Sequence, residues 1–504
     1  MAAIIGTSGN DVLGGFASED QISGLAGDDR LNGGDGFDRL LGGAGNDLFQ
    51  LDDVNGRYFD GQLIGFFYDA VAELADEGVD SIFVRPVVGP SPLFGVFSYR
   101  LPENVEIGVV HDPSGDPTDF DLTGNALDNQ LWGGRGSNHL SALAGNDFLT
   151  GGLSFDTLAG GAGDDRYRLT DLAPLLLGGE PIGYAFDNVV EAAGEGNDLI
   201  EITALNDPFS PFGPNRFTLP ANVENGTVEG FVNFDLAGNG LANSLVGNSR
   251  VNLLEGGAGN DRLTGGAGLD TLDGGTGDDI YQLEDLTPFR VHGVLLGYRY
   301  DAVRERADGG TDLVIVTAGA MPPLERGSYQ LGANVENVTV VGTLSFNLFG
   351  NGLANRMVGN SAVNRIEAGA GADTVSGGGG DDWITAGSGN DLLRGQAGAD
   401  IFHFDARLSA TTNVDRLFDY VPADDTMLLD SLVFTGFTAV GPILQAAFRL
   451  GPAAADASDR IIYNSATGSI FFDRDGTGAA AQILFARVDP GTPLTNADFE
   501  IFGG

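Results

Sequence analysis

An all-β solenoid of short stacked strands is the fold class this sequence predicts, on three observations. From Gly6 the chain runs in phased nines, GTSGNDVLG, GFASEDQIS, GLAGDDRLN, GGDGFDRLL, GGAGNDLFQ. The eighth place of each nine is apolar, and the sixth is Asp or Asn. Glycine is 80 of 504 residues, so turns recur throughout. A strand of three residues with one inward apolar side chain is not stable alone, but stacked copies bury a continuous apolar column.

The pattern occupies four blocks: Gly6 to Gln50, Gly124 to Arg168, Gly238 to Gln282 and Gly350 to His403, which together hold 21 nonads. Column six is Asp at Asp11, Asp20, Asp29, Asp38 and Asp47 in the first block. It is Asp at Asp147, Asp156 and Asp165 in the second and at Asp261, Asp270 and Asp279 in the third. The fourth supplies Asp373, Asp382, Asp391 and Asp400. The last nonad of every block carries an aromatic in column eight (Phe49, Tyr167, Tyr281, Phe402), read as a larger plug where the roll changes cross-section.

Glycines at places one, two and four permit positive φ and let carbonyl oxygens crowd together. The column-six carboxylate adds to that oxygen cluster. An all-oxygen, anionic donor set suits Ca²⁺. Ser18 and Ser154 replace the place-four glycine and make their turns less regular.

GGAGNDLFQ, GGAGDDRYR, GGAGNDRLT and GGTGDDIYQ resemble the nonapeptide of hemolysin-type, or RTX, calcium-binding repeats. That resemblance implies a right-handed parallel β-roll, or β-solenoid, with two nonads per coil and an ion shared between nonads n and n+2. Both partners are Asp in seven such pairs, so about seven or more Ca²⁺ ions are expected, with the fifteen aspartates as ligands.

Each of the last three blocks opens with two Asn nonads, at Asn129 and Asn138, Asn243 and Asn252, Asn355 and Asn364. Three of them place Leu127, Leu241 or Leu353 where a calcium turn needs glycine. These turns are expected to bind no metal or to bind it weakly, with the amides hydrogen-bonding along the coil.

The spacers 51–123, 169–237 and 283–349 are copies of one another. Tyr68-Asp-Ala-Val-Ala-Glu73 matches Phe186-Asp-Asn-Val-Val-Glu191 and Tyr300-Asp-Ala-Val-Arg-Glu305, and NVE recurs at 104–106, 222–224 and 334–336. Their alternating and β-branched runs predict short strands. Their repeated carboxylates are read as turn and strand-edge acids facing water, with metal ligation as the alternative. The variable insertions SPLFGVFSYR, SPFGPNRFT and PPLERGSYQ are expected to loop out as a binding face.

Residues 404–504 form a C-terminal domain with less glycine and longer segments. They resemble the C-terminal region of serralysin-type exoproteins, which implies export by a type I secretion apparatus. No cleaved N-terminal signal is read at Met1-Ala-Ala-Ile-Ile-Gly6. Asp473 to Gly478 is read as a hairpin turn.

Composition excludes much chemistry. The formal charge is −46, which argues against nucleic acid and anionic membrane as direct partners. There is no Cys, and all 25 basic residues are Arg, so thiol chemistry, zinc thiolates, Schiff bases and P-loops are out. No apolar run is long enough to span a membrane. The four histidines, His111, His139, His292 and His403, form no H-E-x-x-H, and G-x-S-x-G is absent. His139 and His403 fall on strand positions and are expected at the surface or at an edge. The chain is expected to be a secreted or cell-surface calcium-binding protein, not an enzyme, with a structural, surface-layer, matrix or adhesion role. Cell-surface glycans or self-assembly are the expected contacts. A module or divergent enzyme acting on polysaccharide is the alternative.

Overall fold

The computed structural model describes residues 2–52, 55–59, 62–75, 77–85, 97–111, 118–170, 173–177, 180–204, 215–284, 287–291, 294–318 and 327–503. Their regular structure is almost all strand, with two single-turn 3₁₀ segments, Gln445–Ala447 and Asn496–Asp498. The chain divides into two compact units, Met1–Arg250 and Val251–Gly504.

In the first unit, strands stack in parallel at the spacing the nonads dictate. Val12 lies beside Arg30 and Gln21 beside Arg39, a shift of two nonads. One face runs Val12–Gly14, Arg30–Asn32, Leu48–Leu51, Ser81–Val84, Ile107–Val110, Gln130–Trp132 and onward to Ser244–Val246. This face passes through both spacers without a break, because Ser81–Val84 and Leu199–Ala204 pair directly with the last strand of the preceding block. The opposite face is made of separate sheets. One holds Ala3–Ile5, Gln21–Ala26, Arg39–Ala44 and Ala70–Ala72, and the next begins at Phe97–Arg100.

The second unit repeats this plan. Arg262–Thr264, Ile280–Leu283, Leu313–Ala318, Asn337–Gly342 and Arg356–Val358 form one parallel series that continues to Asp415–Leu417. The stacking therefore does not end at His403. Asp415–Leu417 pairs with Leu392–Ala397, and Thr426–Asp430 pairs with Ile401–Phe404. Beyond them the chain turns antiparallel. Ser469–Phe472 pairs with Ile461–Asn464 and with Ile483–Arg487, so Asp473 to Gly478 does connect two strands of a hairpin.

Inside the coils sits the apolar column. Every column-eight residue except Leu13 is at most 1% exposed. Burying one such side chain stabilises by roughly 1.5–3 kcal/mol, so a coil with two of them is viable only when stacked. Phe49, Tyr167, Tyr281 and Phe402 are fully buried plugs, as expected.

Each spacer inserts an antiparallel hairpin into one coil, Asn55–Phe59 with Gln62–Phe67, Ala173–Leu177 with Glu180–Ala185, and Thr287–Val291 with Val294–Arg299. Each also packs an aromatic trio. Tyr68 lies edge-on to Tyr99 at 5.5 Å and to Phe120 at 6.2 Å, and Phe186 and Tyr300 repeat this with Phe217 and Phe234, and with Tyr329 and Phe346. The C-terminal parts of the three insertions are strands, Phe97–Arg100, Asn215–Thr218 and Gly327–Gln330, rather than loops. The parts before them, and His292, lie outside the described residues.

Two expectations need correction. His403 is buried, 9% exposed, against Trp383 and Phe502, because its strand is covered by the C-terminal strands; His139 is exposed as expected. Glycine at place one of the nonad does not serve positive φ. Positive φ occurs at places two and four, as at Gly43 (φ 102°) and Gly45 (φ 142°). At place one the glycine serves space: a Cβ on Gly24, Gly160 or Gly377 would overlap the Oδ2 of Asp29, Asp165 or Asp382 in the same nonad, and the largest residue found at that place is alanine, at Ala142, Ala368 and Ala386.

Candidate metal centres

Column six forms a ladder along the stack. The backbone N–H of Asp11 donates to Oδ1 of Asp29 at 2.7 Å, and that of Asp29 donates to Oδ1 of Asp47 at 2.7 Å. All seven Asp–Asp pairs expected from the sequence make this bond: 11 with 29, 20 with 38, 29 with 47, 147 with 165, 261 with 279, 373 with 391 and 382 with 400. Fourteen of the fifteen aspartates are at most 3% exposed; Asp11, at the open start of the roll, is half-buried.

The ladder continues into the spacers, which the sequence reading missed. Asp38 and Asp47 donate to Asp69 and Asp80, Asp156 and Asp165 to Asp187 and Asp198, Asp270 and Asp279 to Asp301 and Asp312. Asp391 and Asp400 donate to Asp415 and Asp425 beyond the last block. The next step in each spacer is the Glu of NVE: the N–H groups of Asp80, Asp198 and Asp312 donate to Oε2 of Glu106, Glu224 and Glu336. These acids do not face water as expected. Asp80, Asp198 and Asp312 are at most 1% exposed, because the inserted hairpin lengthens the chain between rungs without moving the rungs.

While Oδ1 holds the ladder, Oδ2 has no donor. Oδ2 of Asp29, Asp47, Asp147, Asp165, Asp270, Asp279, Asp373, Asp382, Asp391 and Asp400 is buried without a hydrogen bond, as is Oδ2 of Asp198 and Asp312. It packs over the place-one glycine, near the place-one carbonyl of the next coil, as Asp29 does with Gly42 O around Gly24. Buried carboxylate oxygens without donors are costly. The protonated form is favoured accordingly. Asp47, Asp147 and Asp373 are pushed up to about 6 by burial, and Asp165 and Asp382 to about 7. Asp270 rises to about 8, through burial and the charge of Asp301. Asp415 is raised by burial and by Asp391 beside it. Rows of buried, donor-less oxygens beside backbone carbonyls fit a hard cation with oxygen ligands, and Ca²⁺ is the natural occupant.

The turns fall into two classes. Positive φ at places two and four occurs in thirteen nonads, those of Asp29, Asp38, Asp47 and every column-six Asp of the other three blocks. We call these turns open. They include Leu25, Leu143, Ser154 and Gln396, non-glycine residues held at φ between 72° and 86°. The remaining nonads are closed. In most of them the place-two N–H donates to the column-six side chain, as Thr7 does to Asp11, Phe16 to Asp20, Asn125 to Asn129 and Asn351 to Asn355, whereas the amide of Asn138 instead donates to Gly136 O and to Oδ1 of Asp156. Asp11 and Asp20 thus sit in closed turns: Oδ2 of Asp11 accepts the N–H and the hydroxyl of Thr7, and both carboxylate oxygens of Asp20 accept backbone N–H groups, from Ala2 and Phe16.

The Asn nonads show what closure does. Nδ2 of Asn129 donates to the carbonyls of Val105 and Glu106 at 3.3 Å, and Nδ2 of Asn355 donates to Val335 O and Glu336 O at 3.3 and 3.2 Å. Asn125, Asn239 and Asn351 at place two reach the same carbonyls of Val105, Val223 and Val335. The amide hydrogens are directed into a carbonyl cradle. Leu127, Leu241 and Leu353 project into solvent, 37–38% exposed. This arrangement also pins the NVE segment to the block that follows it, joining two motifs that the sequence presents separately.

A second ladder, also unread from sequence, runs outside in column five. Asn46 N–H donates to Oδ1 of Asp28, and Asp28 N–H donates to Oδ1 of Asn10. Asp128, Asn146 and Asp164 repeat it in the next block. The alternation of Asn and Asp in that column was its only trace.

A family model described as the RTX calcium-binding nonapeptide repeat (4 copies) matches residues 3–31, 23–55, 123–158, 144–168, 246–281, 349–384 and 376–406. No curated protein matches the chain. The four blocks, under half of the chain, are RTX calcium-binding nonapeptide repeats, stacked as a parallel β-roll.

Proposed function

We propose that this chain is an exported structural protein whose roll folds when it meets extracellular Ca²⁺. The single observation that carries this reading is the row of buried, donor-less Oδ2 atoms in the open turns. With a formal charge of −46, a calcium-poor chain gains little from stacking those carboxylates and stays extended. Bound Ca²⁺ supplies the positive charge that they lack. A site at 100 times its Kd stabilises the fold by about 2.7 kcal/mol, and weak extracellular-type sites suffice when many act together.

The ligands in this reading are Asp29, Asp38, Asp47 and the column-six aspartates of the other three blocks; Asp11 and Asp20 are secondary. RTX repeats are typical of secreted proteins, and the C-terminal resemblance supports export through a type I apparatus. The role is that of a surface-layer, matrix or adhesion component, without catalysis. The absence of H-E-x-x-H, G-x-S-x-G and Cys from the sequence supports this reading.

Light scattering during a Ca²⁺ titration from EDTA tests it. The hydrodynamic radius is expected to fall as ions bind, with reversible particle growth at higher Ca²⁺ if copies assemble. An unchanged radius rejects calcium-gated folding. A fall to a stable monomer rejects self-assembly and turns attention to glycan ligands.

A further inference from the structure

The junctions between blocks and spacers hold a different arrangement of carboxylates from the nonads. At the end of the second block, ligand oxygens of Asp165, Glu191 and Asp198 lie within 4.8 Å of one another, and at the end of the third so do those of Asp279, Glu305 and Asp312. A nonad pair supplies two carboxylates; here a spacer glutamate adds a third. Among the described residues no arginine pairs with any of the six. Oδ2 of Asp165 and Asp198 and Oε2 of Glu191 are buried without hydrogen bonds, in residues 1%, 1% and 8% exposed. Oδ2 of Asp279 and Asp312 is equally without a donor.

What brings the glutamate there is the plug tyrosine. The hydroxyl of Tyr167 accepts the N–H of Gly160 at 2.6 Å and donates to Oε1 of Glu191. The hydroxyl of Tyr281 accepts the N–H of Gly274 at 2.8 Å and donates to Oε1 of Glu305. The first junction is a natural control, because its plug is Phe49. There Glu73 itself accepts the N–H groups of Gly42 at 2.7 Å and Gly43 at 3.3 Å, and both its oxygens are consumed. At the fourth block, where the plug is Phe402, Asp419 takes the corresponding N–H groups of Gly395 and Gln396 at 3.1 and 3.2 Å.

We propose that the second and third junctions are additional Ca²⁺ sites of three carboxylates each, formed by Asp165, Glu191 and Asp198 and by Asp279, Glu305 and Asp312. Tyr167 and Tyr281 are their positioning residues. Each hydroxyl stands in for the glutamate on the backbone N–H; at the second junction this leaves Oε2 of Glu191 without a donor, while at the third Oε2 of Glu305 accepts only the N–H of Arg306 at 3.2 Å, a bond that the ion would replace. The all-oxygen, triply anionic donor set selects a hard divalent cation. These sites fasten each spacer to the block before it, so calcium holds the insertions as well as the nonads. The assignment rests on the calcium reading of the open turns.

The test counts Ca²⁺ ions bound per full-length chain at saturation, by equilibrium dialysis, with folding checked by circular dichroism. E191Q/E305Q is expected to bind two ions fewer than the parent chain. Y167F/Y281F is expected to lose the same two; it places at both junctions the residue type that Phe49 and Phe402 already provide, so it keeps the fold. A folded variant of either kind with the parental count overturns the proposal. A parent chain that binds ions with no change in radius overturns calcium-gated folding instead, and the difference in count still decides the junction sites.

Discussion

The open turns of Asp29 or Asp147 and the closed turns of Asn129 or Asn355 bury the same column at the same depth, yet they meet the neighbouring carbonyls with opposite charge. In a closed Asn turn, an amide N–H₂ donates into the carbonyl cradle of the preceding coil. In an open turn, Oδ2 sits beside carbonyl oxygens without a donor. A closed turn supplies its own positive edge, whereas an open turn depends on a cation from outside. Each of the last three blocks opens with two closed turns and continues with open ones, so its junction with the preceding spacer is held by hydrogen bonds and its body by ions.

The largest expected effect is chain-wide. In calcium-free protein burial raises the pKa values of open-turn carboxylates such as Asp147, Asp165 and Asp270, so the folded state binds protons more tightly than the unfolded chain. The stabilisation is complete below about pH 4 and disappears as pH rises through about 6 to 8, the range of Asp147, Asp165 and Asp270. In EDTA, circular dichroism is expected to show more strand structure at pH 5, where protonated carboxyls can stack, than at pH 8, where the chain stays extended. Saturating Ca²⁺ is expected to reverse the order, because ions and protons compete for the same oxygens. Equal strand content at both pH values in EDTA would remove the distinction between turn classes.

Next in size is Gly377→Val, a side chain larger than the alanine that Ala142, Ala368 and Ala386 already place at that position. The added Cβ overlaps Oδ2 of Asp382 in an open turn. The variant is expected to lose about 1–3 kcal/mol from overpacking and to bind one ion fewer. Calorimetric titration with Ca²⁺ reads both. The smallest effect sharpens the comparison directly. Asn355→Asp turns a donor into an acceptor against Val335 O and Glu336 O. Denaturant titration at limiting Ca²⁺ is expected to show a loss of about 0.5–1.5 kcal/mol, with part recovered at saturating Ca²⁺. A neutral result at limiting Ca²⁺ would mean that the amide is not what closes the turn.

The regular part of this architecture was legible because its spacing is invariant. A two-nonad shift puts Val12 beside Arg30, and the apolar column eight enters the core at each turn. The ladder through the spacers was hidden for the opposite reason. Its rungs are 31 and 33 residues apart at Asp38 to Asp69 and Asp47 to Asp80, and 24 and 25 apart at Asp391 to Asp415 and Asp400 to Asp425. Insertions of hairpins and loops change sequence separation at little entropic cost while the stacked register stays fixed. Periodicity therefore cannot find those rungs, although the thrice-repeated Asp69, Asp187 and Asp301 marked them. The distinction between open and closed turns was visible in Asn against Asp but not within Asp, since place two is non-glycine in closed (Thr7, Phe16) and open (Leu25, Leu143) turns alike, and serine stands at place four in both (Ser18, Ser154).

The most direct measurement is amide hydrogen exchange read by mass spectrometry as Ca²⁺ is withdrawn stepwise with EDTA. The account predicts that peptides from the open turns, such as 24–51 and 368–404, lose protection first and by more than about tenfold. Peptides from the closed Asn turns, such as 124–141 and 350–367, should follow at lower Ca²⁺. Protection that survives calcium removal, or that is lost first from the closed turns, would contradict the claim that the open turns are the calcium-dependent part of the fold.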